Sequence, residues 1–224
     1  MDALDSTQER REPDPPRRPR DPGATRQNIL DVATEEFAEH GLAGARVEAI
    51  AARTRTTVRM IYYYFRSKEG LYCAALERAY TAMRAAERGL GLDALPPEEA
   101  IARLVRFVFD YHEANLAFNR LVSIENIHRA GHLSGSRDMA AVNATVIETL
   151  EGILARGRAA GVFRADADAL SVHLLITAFP FFRVANRHTL GVLFGRDPLD
   201  PTLREAQRRM SVEAVLGYLR AVRD

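Results

Sequence analysis

From Thr25 onward apolar residues recur every three to four positions, and no stretch alternates with a period of two. That spacing builds amphipathic helices and leaves no half-buried strand, so the expected fold class is all-α. Glycine, proline and hydroxyl residues cut the pattern into helices expected over 26–40, 47–53, 57–65, 67–88, 98–115, 116–130, 136–160, 166–188 and 202–222. His40-Gly41 is a stop, because glycine accepts the left-handed conformation that ends many helices. Ser67 is an N-cap for the fourth helix, with Glu69 at the positive end of its dipole. Gly89, Gly91, Pro96 and Pro97 mark the main internal joint, and Pro180 predicts a kink in its helix.

Composition narrows the function classes. The formal net charge is +1, so any nucleic-acid surface must be local. Cys73 is the only cysteine, which rules out an intrachain disulfide and a cysteine-rich zinc module. Residues 1–24 carry five prolines among mixed charges and no apolar core, and are expected to be a disordered arm rather than a secretory signal. Arg17, Arg18 and Arg20 suit a minor groove, although Asp14 and Asp21 flank them. The longest apolar run, Leu170 to Phe182, is broken by Ser171, His173 and Pro180 and ended by Arg183. It falls short of the ~20 apolar residues of a membrane span, so no membrane partner and a cytoplasmic location are expected.

The segment Arg46 to Phe65 combines a short apolar helix, a turn at residues 54–56 and a second short helix. This is the geometry of a helix-turn-helix, whose second helix enters the major groove. Arg53, Arg55, Arg59, Arg66 and Lys68 fall in a stretch without acidic residues, as a surface facing phosphates requires. Thr56, Thr57, Tyr63 and Tyr64 add hydroxyl groups for backbone contacts, and Arg59 can pair bidentately with guanine. By composition alone, the same segment reads equally well as a packed aromatic face with solvated arginines. Tyr62, one turn past Val58, is expected in the core.

Residues 25–71 resemble the N-terminal domain of tetracycline-repressor (TetR) family regulators. The resemblance rests on Ile29-Leu30, Ala33, Phe37, His40-Gly41, Val47, Ile50-Ala51-Ala52, Ile61-Tyr62-Tyr63-Tyr64-Phe65, Ser67-Lys68-Glu69 and Leu71. It implies a three-helix DNA-binding head over 25–71 and a helical effector-binding and dimerisation domain over 72–224. It also implies that Thr57 touches phosphate, that Arg59 and Tyr63 face the groove, and that Tyr64, Lys68 and Arg26 grip the backbone. Two positions depart from the family pattern. Arg55 stands where the family usually has a turn glycine, and Arg46 where it tends to have a capping threonine; both then become candidates for DNA contact.

The C-terminal half resembles the family mainly in architecture. Residues 121–133 and 181–194 are similar to a subset tied to catabolism of small organic molecules. Leu170, Leu174, Leu175, Phe181 and Phe182 in one helix, with Val212, Val215, Leu216, Leu219 and Val222 in another, exceed what one core needs. A homodimeric four-helix contact absorbs them; the alternative is that both stripes are intrachain core. Polar groups on apolar faces mark candidate pocket residues: Tyr111, His112, Glu125, Asn126, His128, His173, Thr177, Arg183 and Asn186. Arg183 among phenylalanines suits a carboxylate ligand, but a structural hydrogen bond is the favoured reading. Glu125, His128 and His132 have metal-compatible spacing, but Gly131 interrupts the helix, so neither metal nor cofactor is expected.

The reading that follows is a ligand-responsive regulator. It binds a near-palindromic double-stranded operator as a homodimer and is released, as a repressor, by a small organic effector. An all-helical enzyme is the first alternative, but the chain has no phosphate loop, no G-x-G-x-x-G and no G-x-S-x-G motif. A nonspecific architectural DNA binder is the second, and the near-neutral charge opposes it.

Overall fold

A computed structural model describes residues 21–134 and 137–220. The expected arm lies outside the described residues up to position 20. Its last three positions belong to the first helix, which Asp21 caps by accepting from the Gly23 amide. Ten helices follow among the described residues: α1 (Pro22–Gly44), α2 (Val47–Thr54), α3 (Val58–Phe65), α4 (Lys68–Arg88), α5 (Pro97–Ala114), α6 (Leu116–Ile127), α7 (Arg137–Ala159), α8 (Ala169–Ala185), α9 (Arg187–Phe194) and α10 (Pro201–Leu219). One 3-10 turn, Leu92–Ala94, fills the joint before α5. The only pairing of extended backbone among the described residues is an isolated bridge between Phe163 and Arg220.

Two cores share the burial. Ile29, Ala33, Phe37, Ile50, Ile61, Leu71 and Tyr72 fill the first, between α1 and α4. Ile101, Leu104, Val105, Leu150, Ile153, Leu154, Val172 and Leu219 fill the second, around α5, α7, α8 and α10. Helix α6 serves both. Leu121 belongs to the head core, with Ala117 and Ile124 packed against it. Phe118 belongs to the body core, with Val122 packed there. The i, i+4 rows of one helix face two neighbours.

The expected 166–188 helix is two helices. α8 and α9 meet at Asn186 with a bend of 69°. The break falls six residues past Pro180, which is buried inside α8. No single helix among the described residues is long and apolar enough to cross a membrane.

Candidate DNA interface and effector cavity

α2 and α3 form a tight corner. Arg55 ends α2 at φ 53°, ψ 37°, in the left-handed region, and the Thr56 amide reaches back to the Ala51 carbonyl at 3.0 Å. A side chain in that conformation costs ~1–2 kcal/mol relative to glycine. α2 has no side-chain cap at Arg46. Instead, buried Glu36 accepts the Arg46 amide at 3.1 Å, and Arg53 pairs with Glu35. α3 is capped by Thr57, whose hydroxyl accepts from the Met60 amide at 3.2 Å.

The faces of α3 divide cleanly. Ile61 and Phe65 are buried one turn apart, with Val58 half-buried beside them. Arg59 and Tyr63, also one turn apart, are exposed, Tyr63 at 71%. Tyr62 is 41% exposed and is not core. It follows Ile61 by ~100° of helical rotation and shares a row only with half-buried Val58. Tyr63 and Tyr64 stack edge to face at 5.4 Å. Exposed Arg26 lies over the Phe65 ring at 5.1 Å. Lys68 donates to the Ala43 carbonyl at 3.2 Å, which ties the start of α4 to the end of α1.

The α3–α4 corner depends on Gly70, which sequence reasoning passed over. Ser67 caps α4 by accepting from the Gly70 amide at 3.0 Å. A Cβ at position 70 would lie 2.2 Å from the Phe65 carbonyl oxygen, closer than any real contact. The glycine inside Ser67-Lys68-Glu69-Gly70 was the available signal.

The body contains a cavity of about 230 Å³ walled by α4, α5, α6, α7 and α8. Tyr80, Met83, Phe118, Val122 and Phe181 supply its apolar lining, and Arg84, His112, Asn126, Asn143, His173 and Thr177 its polar groups. His112 is 2% exposed. Asn119 spends its amide N–H groups on the His112 and Asn115 carbonyls, so its Oδ1 accepts from His112 Nδ1 at 2.7 Å. The neutral ring therefore carries its proton on Nδ1 and offers Nε2 as an acceptor. Burial, with the Arg84 charge adding to it, lowers the His112 pKa to about 4. His173 is shifted down for the same two reasons. Arg84 pairs with Glu87, both almost fully buried. His112 Nε2, Thr177 Oγ1 and Arg84 Nε have no hydrogen-bond partner among the described residues.

Comparison with known proteins agrees with this geometry. A family model described as "Bacterial regulatory proteins, tetR family" matches residues 29–75, and one described as "Tetracyclin repressor-like, C-terminal domain" matches 97–215. The HTH-type transcriptional repressor NicS of Pseudomonas putida is 36% identical over 176 residues, covering 79% of this chain and 83% of that one. The chain belongs to the TetR family. The HTH-type transcriptional repressor SCO4008 of Streptomyces coelicolor is 36% identical over 108 residues, 48% of this chain and 53% of its own length. Among solved structures, SCO4942 from Streptomyces coelicolor is 30% identical, with a TM-score of 0.65, over 87% of this chain and 98% of that chain. A structure described as the molecular basis for control of antibiotic production by bacterial hormones is 25% identical, with a TM-score of 0.63, over 88% of this chain and 98% of its own.

Within this TetR-family fold, the polar residues picked from sequence scatter. Asn126, His173 and Thr177 line the cavity together with His112. Tyr111 is half-buried and packs its ring 5.9 Å from Phe118. Glu125 is 2% exposed and faces away from the cavity, toward the head. It accepts from the Tyr72 hydroxyl at 3.2 Å, the His132 amide at 2.8 Å and His132 Nδ1 at 3.0 Å. Burial works to raise its pKa, but the His132 amide and ring and the Tyr72 hydroxyl outweigh it and hold the carboxyl below the usual range. His128 lies on an open groove beside the end of α1. Among the described residues, no group of three or more histidine, cysteine or acidic side chains is placed to hold a metal. Arg183 is 2% exposed, pairs with Glu113, donates to Gln207 Oε1 at 2.9 Å and stacks 4.1 Å over Phe109. Asn186 ends α8 and donates to the Phe182 carbonyl at 3.0 Å. Tyr80 and Arg84 of α4 also line the cavity and were missed.

The two apolar stripes also part. Leu170, Leu174, Leu175 and Phe182 of α8 are exposed, as are Val192, Leu193 and Phe194 of α9. Val212, Val215 and Leu219 of α10 are buried inside the chain, and Val222 lies outside the described residues. The exposed face of α10 instead carries Ala206, Met210, Ala214, Gly217 and Tyr218.

Proposed function

We propose that this chain is a homodimeric repressor that leaves its operator when a small organic molecule enters the cavity of the body. The observation that carries the proposal is the sharing of walls. α4 and α6 line the cavity with Tyr80, Arg84, Phe118, Val122 and Asn126, and the same two helices pack the head through Leu71, Tyr72, Leu76 and Leu121. An occupant that fits only one placement of these helices biases the position of the heads by differential binding.

In the head, α3 presents Arg59 and Tyr63 to the major groove, held rigidly from behind by Ile61 and Phe65. Thr57 keeps a hydroxyl proton for phosphate while capping its helix. Tyr64, Lys68 and Arg26 flank it, and Arg46, Arg55 and Thr56 surround the corner. The named relatives are repressors, and one solved relative is tied by its description to hormone control; both support this reading. Two-fold pairing through α8, α9 and the small-residue face of α10 sets two α3 helices roughly 34–36 Å apart, one DNA turn. Work on an operator places the protein in the cytoplasm, with no membrane partner.

The test is a gel-shift titration against DNA flanking the protein's own gene, with unrelated competitor, for the wild type and Arg59→Ala. The proposal expects a complex that survives competitor and weakens in the variant. Equal binding to competitor and flanking DNA overturns it.

A further inference from the structure

The cavity has a chemistry specific enough to name a class of occupant. This inference rests on the effector-responsive reading above. An enclosed apolar space of ~150 Å³ takes a benzene ring, so about 230 Å³ takes one substituted ring. Three aromatic side chains, Tyr80, Phe118 and Phe181, line it, and rings 5–6 Å apart on its walls favour a flat partner.

The polar groups set the remaining features. His112 Nε2 is a buried acceptor, since Asn119 fixes the proton on Nδ1. Thr177 Oγ1, one helical turn before Phe181 on the same row of α8, has no partner among the described residues. A buried polar atom left unpaired is costly, so a ligand group that donates to Nε2 gains more there than in water. The one cation on the wall does not invite an anion. Arg84 is paired with Glu87 and also donates to Met83 Sδ at 3.4 Å, so its charge is already met although its Nε has no partner among the described residues. A carboxylate placed beside it meets the Glu87 carboxylate, which already holds the Arg84 charge.

We propose that the effector is an uncharged single-ring compound carrying a hydroxyl group, whose O–H donates to His112 Nε2 and whose oxygen accepts from Thr177. The ring lies among Tyr80, Phe118 and Phe181.

The test uses the full-length protein and a panel that varies one feature at a time: 4-ethylphenol, its methyl ether 4-ethylanisole, ethylbenzene and 4-ethylbenzoate anion. Calorimetric titration reads affinity, and release of a labelled DNA fragment selected by the protein from random sequence reads regulation. The expected result is that 4-ethylphenol binds about tenfold tighter than the ether and the hydrocarbon, the loss expected from one hydrogen bond to a buried acceptor. The carboxylate binds no tighter than the hydrocarbon. Thr177→Val, an isosteric change, weakens only the phenol, and His112→Phe levels phenol and hydrocarbon. Tightest binding by the carboxylate, equal binding across the panel, or no binding by any member overturns the class. Phenol binding with the predicted preference but without DNA release supports the class and overturns the regulatory reading on which it rests.

Discussion

Single residues fix the corners of the head. Gly70 is required by a backbone carbonyl rather than by a turn, because a Cβ there meets the Phe65 oxygen. Gly70→Ala is expected to destabilise the protein by roughly 1–3 kcal/mol, checked by urea unfolding. In the body, His112 makes stability depend on pH. Its folded pKa of about 4 lies below the ordinary 6.5, so the unfolded chain binds a proton that the folded chain refuses. Stability is therefore full above pH 6.5 and falls between pH 6.5 and 4, by roughly 3 kcal/mol from this group. His173 acts in the same direction. Unfolding at pH 7 and pH 4.5 should show a smaller difference in His112→Phe than in the wild type. Much of the head was legible at this scale, since Ile29, Ala33, Phe37, Val47, Ile50, Ile61, Phe65 and Leu71 are all buried as their spacing demands. The pocket was less so. Glu125, Arg183 and His173 look alike in sequence, each a polar group on an apolar face. What separates them is a partner 53 residues away at Tyr72 for Glu125 and 70 away at Glu113 for Arg183, and spacing carries no trace of either.

At the scale of elements, the helices that face two ways matter most. α6 turns Leu121 and Glu125 toward the head and Phe118, Val122 and Asn126 toward the cavity. Its tie to α4 is the Tyr72 hydroxyl on Glu125, with the Tyr72 ring edge-on to Phe37 at 5.2 Å and to His132 at 5.1 Å. Tyr72→Phe removes that hydrogen bond and keeps the packing. It should cost about 1 kcal/mol and reduce the change in DNA affinity that an effector produces, read as the ratio of operator affinities with and without it. On the opposite side, Arg183 holds α8 to α5 and α10, and Arg204 and Arg208 meet Asp110 at 2.7 and 2.9 Å. Arg183→Met leaves Glu113 without its most buried partner and is expected to cost about 3–5 kcal/mol, measured by chemical denaturation. The bend at Asn186 was not legible, because no glycine or proline marks it and the helix was expected to run on to His188.

The whole molecule is legible as two cores joined by shared helices, and the proposed dimer places its partner on the exposed α8–α9 surface. Leu174 is 61% exposed, Phe182 53% and Phe194 70%, large apolar side chains left in water as at interfaces. Leu174→Asp with Phe182→Asp is expected to convert a dimer to a monomer in analytical ultracentrifugation, with operator affinity falling at least 100-fold because the second head no longer binds intramolecularly. The sequence named α10's apolar stripe for the same role. Val212, Val215 and Leu219 serve the chain's own core instead, since a helix between two neighbours needs apolar residues on the inner face first. The central claim is that the two α3 helices read one two-fold DNA site. The most direct test is a fluorescence-anisotropy titration at physiological salt, using DNA selected from random sequence and the same DNA with half a turn inserted between its half-sites. The account predicts at least a 10³-fold preference for the selected site over unrelated DNA, most of it lost on insertion. Equal affinity for selected, spaced and unrelated DNA would contradict it.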